Sequence, residues 1–309
     1  MRAEQCAKRD AFLAKIGVRP VVMGILNLTP DSFSDGDQFM TTDAALSHAR
    51  RLAAEGADIV DVGGESTRPG ALAVSETEEL ARVEHVLKAL GDSEVPFSID
   101  TYKASVAARA IELGAVLVND VWGLQKDPAM AEAVAAAEAA IVIMHNRAHK
   151  DAAIDIVADI RRFFAHSLVL ADKAGIPRTR IILDPGIAFG KTALQNVEVI
   201  ARLNELLDFG RPILVGVSRK TFLGSLVEGG IEGTLVGTIA ASLAALACGA
   251  SIFRVHDVAE HVAALKVFHT IRRQRDRAAN CRAPRKRLTV QLSQLAKSSV
   301  WAHLGHRGN

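Results

Sequence analysis

Val21-Val22-Met23-Gly24-Ile25-Leu26-Asn27 is an apolar run of strand length that ends on a side-chain amide, and it is the first of eight segments built this way. The others are residues 59–60 before Asp61, 97–99 before Asp100, 116–118 before Asn119, 140–144 before His145, 181–183 before Asp184, 213–217 before Ser218 and 251–255 before His256. Each run is too short for a helix buried on all sides, is rich in Val and Ile, and is followed by Ala, Leu and charge at helical spacing. Eight strand-helix units predict a (β/α)8 TIM barrel, which needs about 250 residues. Val21 to about Ile271 supplies them as a single domain, with residues 1–19 a lead-in, 20–271 the barrel and 272–309 a basic C-terminal extension. In this architecture the carboxyl ends of the strands converge on the face where substrates are handled. The amides, carboxylates and imidazoles that end the runs therefore share one bowl.

Hydrophobic content of 49% is ample for a barrel core. No stretch of 18 apolar residues is present and residues 1–19 are charged, which predicts a soluble, cytoplasmic protein with no membrane partner. Cys6, Cys248 and Cys281 are far apart, odd in number and without metal-ligand spacing, which predicts reduced thiols. The net charge of +2 hides an asymmetry: residues 271–309 carry eight Arg and two Lys against one Asp, a local +9, so residues 1–270 are acidic at −7. A basic tail can meet nucleic acid, but this one lacks interleaved aromatic residues beyond Trp301. A solvated or partly helical extension is the expectation, with nucleic acid not a partner.

The loop after the first strand, Asn27-Leu28-Thr29-Pro30-Asp31-Ser32-Phe33-Ser34-Asp35-Gly36, gathers turn formers and oxygen acceptors around one aromatic. Such a loop suits closure over a ligand. Asn27 and the carboxylates suit Mg²⁺, which prefers oxygen ligands and keeps waters and substrate phosphates in its shell. The second strand leads into Asp61-Val62-Gly63-Gly64-Glu65-Ser66-Thr67-Arg68-Pro69-Gly70, where paired glycines permit close backbone approach and Arg68 offers a planar fork of donors to a carboxylate. Asp61 is expected to bind substrate at the barrel mouth, and it fits equally a purely structural hydrogen-bonding role there.

These two loops closely resemble the signature loops of dihydropteroate synthase. Ser98-Ile99-Asp100-Thr101, Val118-Asn119-Asp120, Leu183-Asp184-Pro185-Gly186, Phe189-Gly190-Lys191, Ser218-Arg219-Lys220 and Arg254-Val255-His256-Asp257 follow in that family's order, so the resemblance spans about residues 20–270. It implies condensation of 6-hydroxymethyl-7,8-dihydropterin pyrophosphate with p-aminobenzoate, giving 7,8-dihydropteroate and pyrophosphate, in an enzyme class that sulfonamides target. It further implies that Asp100, Asn119 and Asp184 bind the pterin together with Met144, Gly216 and Lys220. Thr67, Arg68, Pro69, Phe33, Phe189 and Ser218 then match positions that build or border the p-aminobenzoate site. Asn27, Arg254 and His256, with Mg²⁺ at Asn27, match those that meet the leaving pyrophosphate, and Asn27, Asp100, Lys220, Arg254 and His256 form the catalytic set. The family's usual homodimer is implied as well, with the Ala-rich residues 237–249 suited to close helix packing.

The physical chemistry of the residues agrees with these assignments. A pterin presents several donors along its amino-pyrimidinone edge, which buried carboxylates and an amide can satisfy. A neutral arylamine needs no general base, so catalysis rests on leaving-group stabilisation and positioning. Two departures from the family pattern stand out, Ile187-Ala188 where Phe-Gly is common and Asp37 where a second Gly is common. Ala188 stays small, and the loop path is expected to survive. The rival readings are a methyltetrahydrofolate-dependent corrinoid methyltransferase, which leaves Thr67-Arg68-Pro69 and Ser218-Arg219-Lys220 unexplained, and a non-catalytic pterin-binding paralogue or tail-bearing scaffold. The joint presence of Asn27, Arg68, Lys220, Arg254 and His256 argues against lost catalysis.

Overall fold

Eight parallel strands pair in the order β6-β5-β4-β3-β2-β1-β8-β7 in a computed structural model of the chain. The structure describes residues 1–28, 42–66, 72–226 and 234–282. Phe33, Thr67, Arg68, Pro69 and Asp37 lie outside the described residues, as does the extension beyond residue 282. By contacts the chain divides into Met1–His269, which holds the barrel, and Thr270–Asn309. The elements run α1 (Ala3–Leu13), β1 (Val21–Asn27), α2 (Thr42–Ala54), β2 (Ile59–Gly63), α3 (Glu76–Gly91), β3 (Phe97–Asp100), α4 (Ala104–Glu112) and β4 (Leu117–Asp120). They continue with α5 (Met130–Ala136), β5 (Ala140–Met144), α6 (Ile156–Ala174), β6 (Ile181–Asp184), α7 (Ala193–Ala201), β7 (Leu214–Val215), α8 (Thr221–Gly224), α9 (Thr234–Ala247), β8 (Ile252–Val255) and α10 (Val258–Arg282).

The expected runs all appear, with one shortened. β7 covers two residues of the run at 213–217, and it meets β6 through a single bridge, Leu183 to Ile213, backed by Leu183 N–H donating to the Pro212 carbonyl at 3.0 Å. Pro212 has no N–H to donate across to β6, so the ladder cannot extend toward its amino end. The bridge completes the circuit of strands that the six other pairings and the β1–β8 register begin.

Two apolar layers hold the barrel. The larger packs the outer faces of the strands against the helices, while the smaller fills the barrel interior with Val21, Met23, Ile59, Leu117, Ala140, Val142, Ile182, Leu214 and Ile252. Phe12 of α1, 1% exposed, belongs to that interior layer. The segment read as a lead-in is thus a plug for the amino-terminal mouth. Its polar groups fix it there: Gln5 Nε2 donates to the carbonyls of Ile111 at 2.8 Å and Ala115 at 2.6 Å, and Arg9 donates to that of Glu138. Lys15 and Arg19 pair with the buried Asp58 at the entry to β2. Helical spacing in a charged stretch does not reveal which apolar residue is inserted, and the plug was invisible for that reason.

Because the barrel floor is sealed by one aromatic ring, Phe12→Ala should cost about 3–5 kcal/mol of unfolding free energy, the range for a buried Phe that leaves a cavity. Urea denaturation checks this; a loss under about 1 kcal/mol would mean that the floor collapses freely onto the gap.

Candidate active site

A strand's side chains alternate between faces, so the inward residues of the floor fix by steps of two which residues face inward at the top. From Met23 and Ile25 the count reaches Asn27; from Ile59, Asp61; from Leu117, Asn119; from Val142, Met144; from Ile182, Asp184; from Leu214, Gly216; and from Ile252, Arg254. Asp100 joins them through register, since Asp100 faces Asn119 across β3–β4 and Gly63 across β2–β3. Gly63 carries no side chain, which leaves room for Asn27 Oδ1 and the Asp100 Cβ, each 3.6 Å from where its Cβ would sit. Met144 and Asp184 are partners across β5–β6. The strand ends thus gather the acceptors that the sequence placed in one bowl.

Arg254 organises them. Its Nε donates to Asp61 Oδ2 at 2.6 Å and its Nη2 to Asp100 Oδ2 at 2.6 Å. Asp61, fully buried, also accepts from Ser98 Oγ at 2.6 Å and from Asn119 Nδ2 at 3.0 Å. Asp61 thus takes three hydrogen bonds from protein donors on β3, β4 and β8. The same bonds leave two acceptors over: Asp100 Oδ1 and Asn119 Oδ1 are buried with no hydrogen-bond partner among the described residues. Burial, reinforced by neighbouring Asp61 and opposed by Arg254, pushes the Asp100 carboxyl up to about 7.

The opposite wall comes from β6, β7 and the turns after them. Asp184 Oδ1 accepts from Gly186 N–H at 2.7 Å, and burial pushes this carboxyl up to about 6 against the pull of that bond and of Lys220. Lys220 Nζ donates to the Ile187 carbonyl at 2.7 Å and lies 4.4 Å from the centroid of the Phe189 ring, a cation-π geometry. Burial draws the lysine down to about 8, with Asp184 and Asp100 acting the other way. Between the walls, a Cβ on Gly216 would meet only Arg254, at 3.8 Å, which leaves the floor open to a flat ring. At the rim Ser218 Oγ lies 2.9 Å from His256 Nδ1 and accepts from His256 N–H at 3.1 Å. Arg219 turns away to pair with Asp257 at 2.6 Å.

Among the described residues no group of three or more His, Cys, Asp or Glu forms a metal cage. Mg²⁺ needs no such cage, since it takes one or two protein oxygens and fills its shell with water and substrate phosphate. Asn27, half-buried at the end of β1, offers one oxygen donor.

Sequence reasoning gave no role to His145 and Lys191, although His145 ends an apolar run and Lys191 ends the Phe189-Gly190-Lys191 motif. Lys191 is 1% exposed, and its Nζ reaches His145 Nδ1 at 2.8 Å, the Gly186 carbonyl at 2.7 Å and the Phe189 carbonyl at 3.1 Å. Burial pulls the lysine down to about 7, partly offset by Asp184, and burial with the Lys191 charge drives His145 down to about 3. The signal available was positional: His145 ends its run as Asp184 and His256 end theirs.

Comparison with known proteins agrees with this geometry. Residues 23–256 match the family model described as pterin binding enzyme. A dihydropteroate synthase of Clostridium beijerinckii is 46% identical over 267 residues, covering 84% of this chain and 97% of that one. The crystal structure of a dihydropteroate synthase from Clostridium difficile with pteroic acid is 47% identical with a TM-score of 0.80, covering 83% of this chain and 98% of that one. That of the Xanthomonas albilineans enzyme with 4-aminobenzoic acid is 44% identical with a TM-score of 0.78, covering 82% and 93%. The chain belongs to the pterin binding enzyme family and, within it, to the dihydropteroate synthases.

Proposed function

We propose that the chain condenses 6-hydroxymethyl-7,8-dihydropterin pyrophosphate with p-aminobenzoate to give 7,8-dihydropteroate and pyrophosphate, the step of folate biosynthesis that joins the pterin to p-aminobenzoate. The observation that carries this reading is the pair of buried, unpartnered acceptors, Asp100 Oδ1 and Asn119 Oδ1, facing into a bowl whose other wall holds Asp184 and Lys220. A buried acceptor left without a donor costs about 1–3 kcal/mol, so a ligand with an edge of N–H groups is favoured there. Lys220, parked on a backbone carbonyl, needs only to swing from Ile187 to donate to a ring atom.

The bound pterin presents its CH₂–O bond toward the rim. As that bond breaks, the electron pair leaves with pyrophosphate and the ring delocalises the positive charge left on carbon. The arylamine nitrogen then forms the new C–N bond and gives up a proton to the departing pyrophosphate or to water. Charge accumulating on the leaving group is met by His256 and by the guanidinium donors of Arg254 beyond its two carboxylate bonds. Arg254 is first an organiser of the pterin acceptors and only then a partner of pyrophosphate. Mg²⁺ held through Asn27 would supply further charge stabilisation to the departing phosphates. Phe33, Thr67, Arg68 and Pro69 are assigned to the p-aminobenzoate site by family resemblance, with Phe189 and Ser218 bordering it.

No helix among the described residues is long and apolar enough to cross a membrane. Charged, phosphorylated substrates are consistent with work in the cytoplasm. A homodimer through α9, which exposes Val236, follows the habit of the family.

The direct test supplies the purified protein with the pterin pyrophosphate, Mg²⁺ and p-aminobenzoate and measures pyrophosphate release and dihydropteroate by mass. Equimolar product and pyrophosphate are expected; pterin binding with no product would point to a non-catalytic paralogue. The site's ionisations add a second expectation. Acceptance by Asp184 and Asp100 requires their ionised forms, which are lost as pH falls through about 6 and about 7, while donation by Lys220 requires its charged form, lost as pH rises through about 8. Dihydropterin affinity measured by calorimetry should therefore peak between those limbs; a flat profile from about pH 5 to about pH 9 would remove these three groups from ring recognition.

A further inference from the structure

The turn between β6 and α7 passes through the left-handed region at alternate residues: Gly186 at φ 66°, Ala188 at φ 69° and Gly190 at φ 59°. A Cβ at Gly186 would collide with the His145 carbonyl oxygen. Ala188 has no such freedom and sits in a conformation that costs a side-chain-bearing residue about 1–2 kcal/mol. Such a path persists only where surrounding contacts over-determine it. It also carries much of one wall of the bowl: Asp184 begins the turn, Ile187 supplies the carbonyl that receives Lys220, and Phe189 supplies the ring beneath that ammonium.

The contacts that fix the turn from behind converge on one buried nitrogen. Lys191 Nζ has three acceptors, the Gly186 and Phe189 carbonyls within the turn and His145 Nδ1 outside it. An ammonium has three N–H donors, so this is a filled set. To accept at Nδ1 the imidazole must be neutral with its proton on Nε2, which then faces Asp159 Oδ2 at 3.2 Å. Asp159 also receives Arg147 at 2.8 Å and Arg162 at 3.0 Å, and its carboxyl is held below the ordinary range. The chain of bonds therefore runs from α6 through the end of β5 into the turn. Asn196 of α7 supports the middle of the turn separately, its Oδ1 accepting from Ala188 N–H at 2.6 Å.

We propose that Lys191 and His145 are positioning residues for the pterin: the buried ammonium, oriented by the imidazole, clamps two carbonyls of the turn and so fixes the Asp184 carboxylate, the Ile187 carbonyl and the Phe189 ring. The inference rests on the reading of the bowl as a pterin site. It assigns to neither residue a contact with substrate. Their effect reaches the ring through the geometry of the wall, and it bears on pterin affinity more than on use of p-aminobenzoate.

The test measures the Kd of 7,8-dihydropterin by calorimetry for the wild type, Lys191→Met, His145→Leu and His145→Asn, with thermal melting of each and the KM for p-aminobenzoate at saturating pterin substrate. Asn places Oδ1 where His carries Nδ1 and so restores the acceptor for Lys191, whereas Leu removes it. The wild type should bind. Lys191→Met and His145→Leu should weaken binding about tenfold or more, with His145→Asn within about threefold of the wild type, and the p-aminobenzoate KM should move little. If Lys191→Met does not fold, the two His145 variants decide. Equal weakening in His145→Asn and His145→Leu, or binding by every variant within about threefold of the wild type, would overturn the positioning role alone. A wild type that does not bind dihydropterin would overturn the reading of the bowl, and the positioning role with it.

Discussion

Arg254 inside the barrel is the constraint from which the rest of the site follows. Its guanidinium bridges Asp61 and Asp100, carboxylates on two neighbouring strands, from the strand on the far side of β1. A charge this deep needs a partner, and removal of one member of such a pair costs about 3–5 kcal/mol because the other is left buried and uncompensated. Yet the arrangement does not close on itself. Asp61 draws Ser98, Asn119 and Arg254 together, while Asp100 and Asn119 each retain an oxygen that the protein does not satisfy. The site is rigid where the protein supplies both partners and incomplete where a ligand must supply one. A flat heterocycle with adjacent N–H groups completes it.

The same division runs along the barrel axis. At the amino end Phe12 and the inward Val, Ile, Met and Leu side chains make a dry plug, whose burial supplies stability without chemistry. At the carboxyl end the same inward alternation delivers Asp, Asn and Arg. The dry floor matters to the wet top, because it keeps the carboxylates away from bulk water on one side and so raises those of Asp100 and Asp184. The turn after β6 shows what this organisation demands: a backbone bent repeatedly into the left-handed region, including Ala188, and held by side chains behind it. The small side chain at 188 keeps the path that glycine would take more easily.

Much of the site was legible because strand ends are marked by a change from apolar to polar, and period-two alternation fixes which of those polar residues face inward. Asp100, Asn119 and Asp184 were readable on those grounds, and family resemblance added Arg254 and ordered them into one pocket. What escaped had a physical reason. The plug depends on one Phe in a charged helix, which no periodicity distinguishes from its neighbours. Pro212, without an N–H, stops β7 from extending toward its amino end, a local fact outweighed by the apolar run after it. Lys191 was hidden because a lysine near a loop is ordinarily solvated, and only the fold shows it turned inward among three acceptors. The three protein donors around Asp61 were likewise not legible, because they come from three different strands.

The central claim is that the protein leaves Asp100 Oδ1 and Asn119 Oδ1 unpaired for the ring. A crystal structure of the chain with bound 7,8-dihydropterin tests it most directly. The account predicts ring or exocyclic N–H groups within hydrogen-bonding distance of both oxygens, with Arg254 still bridging Asp61 and Asp100. A ring seated elsewhere, with both oxygens facing only water or protein, would contradict it.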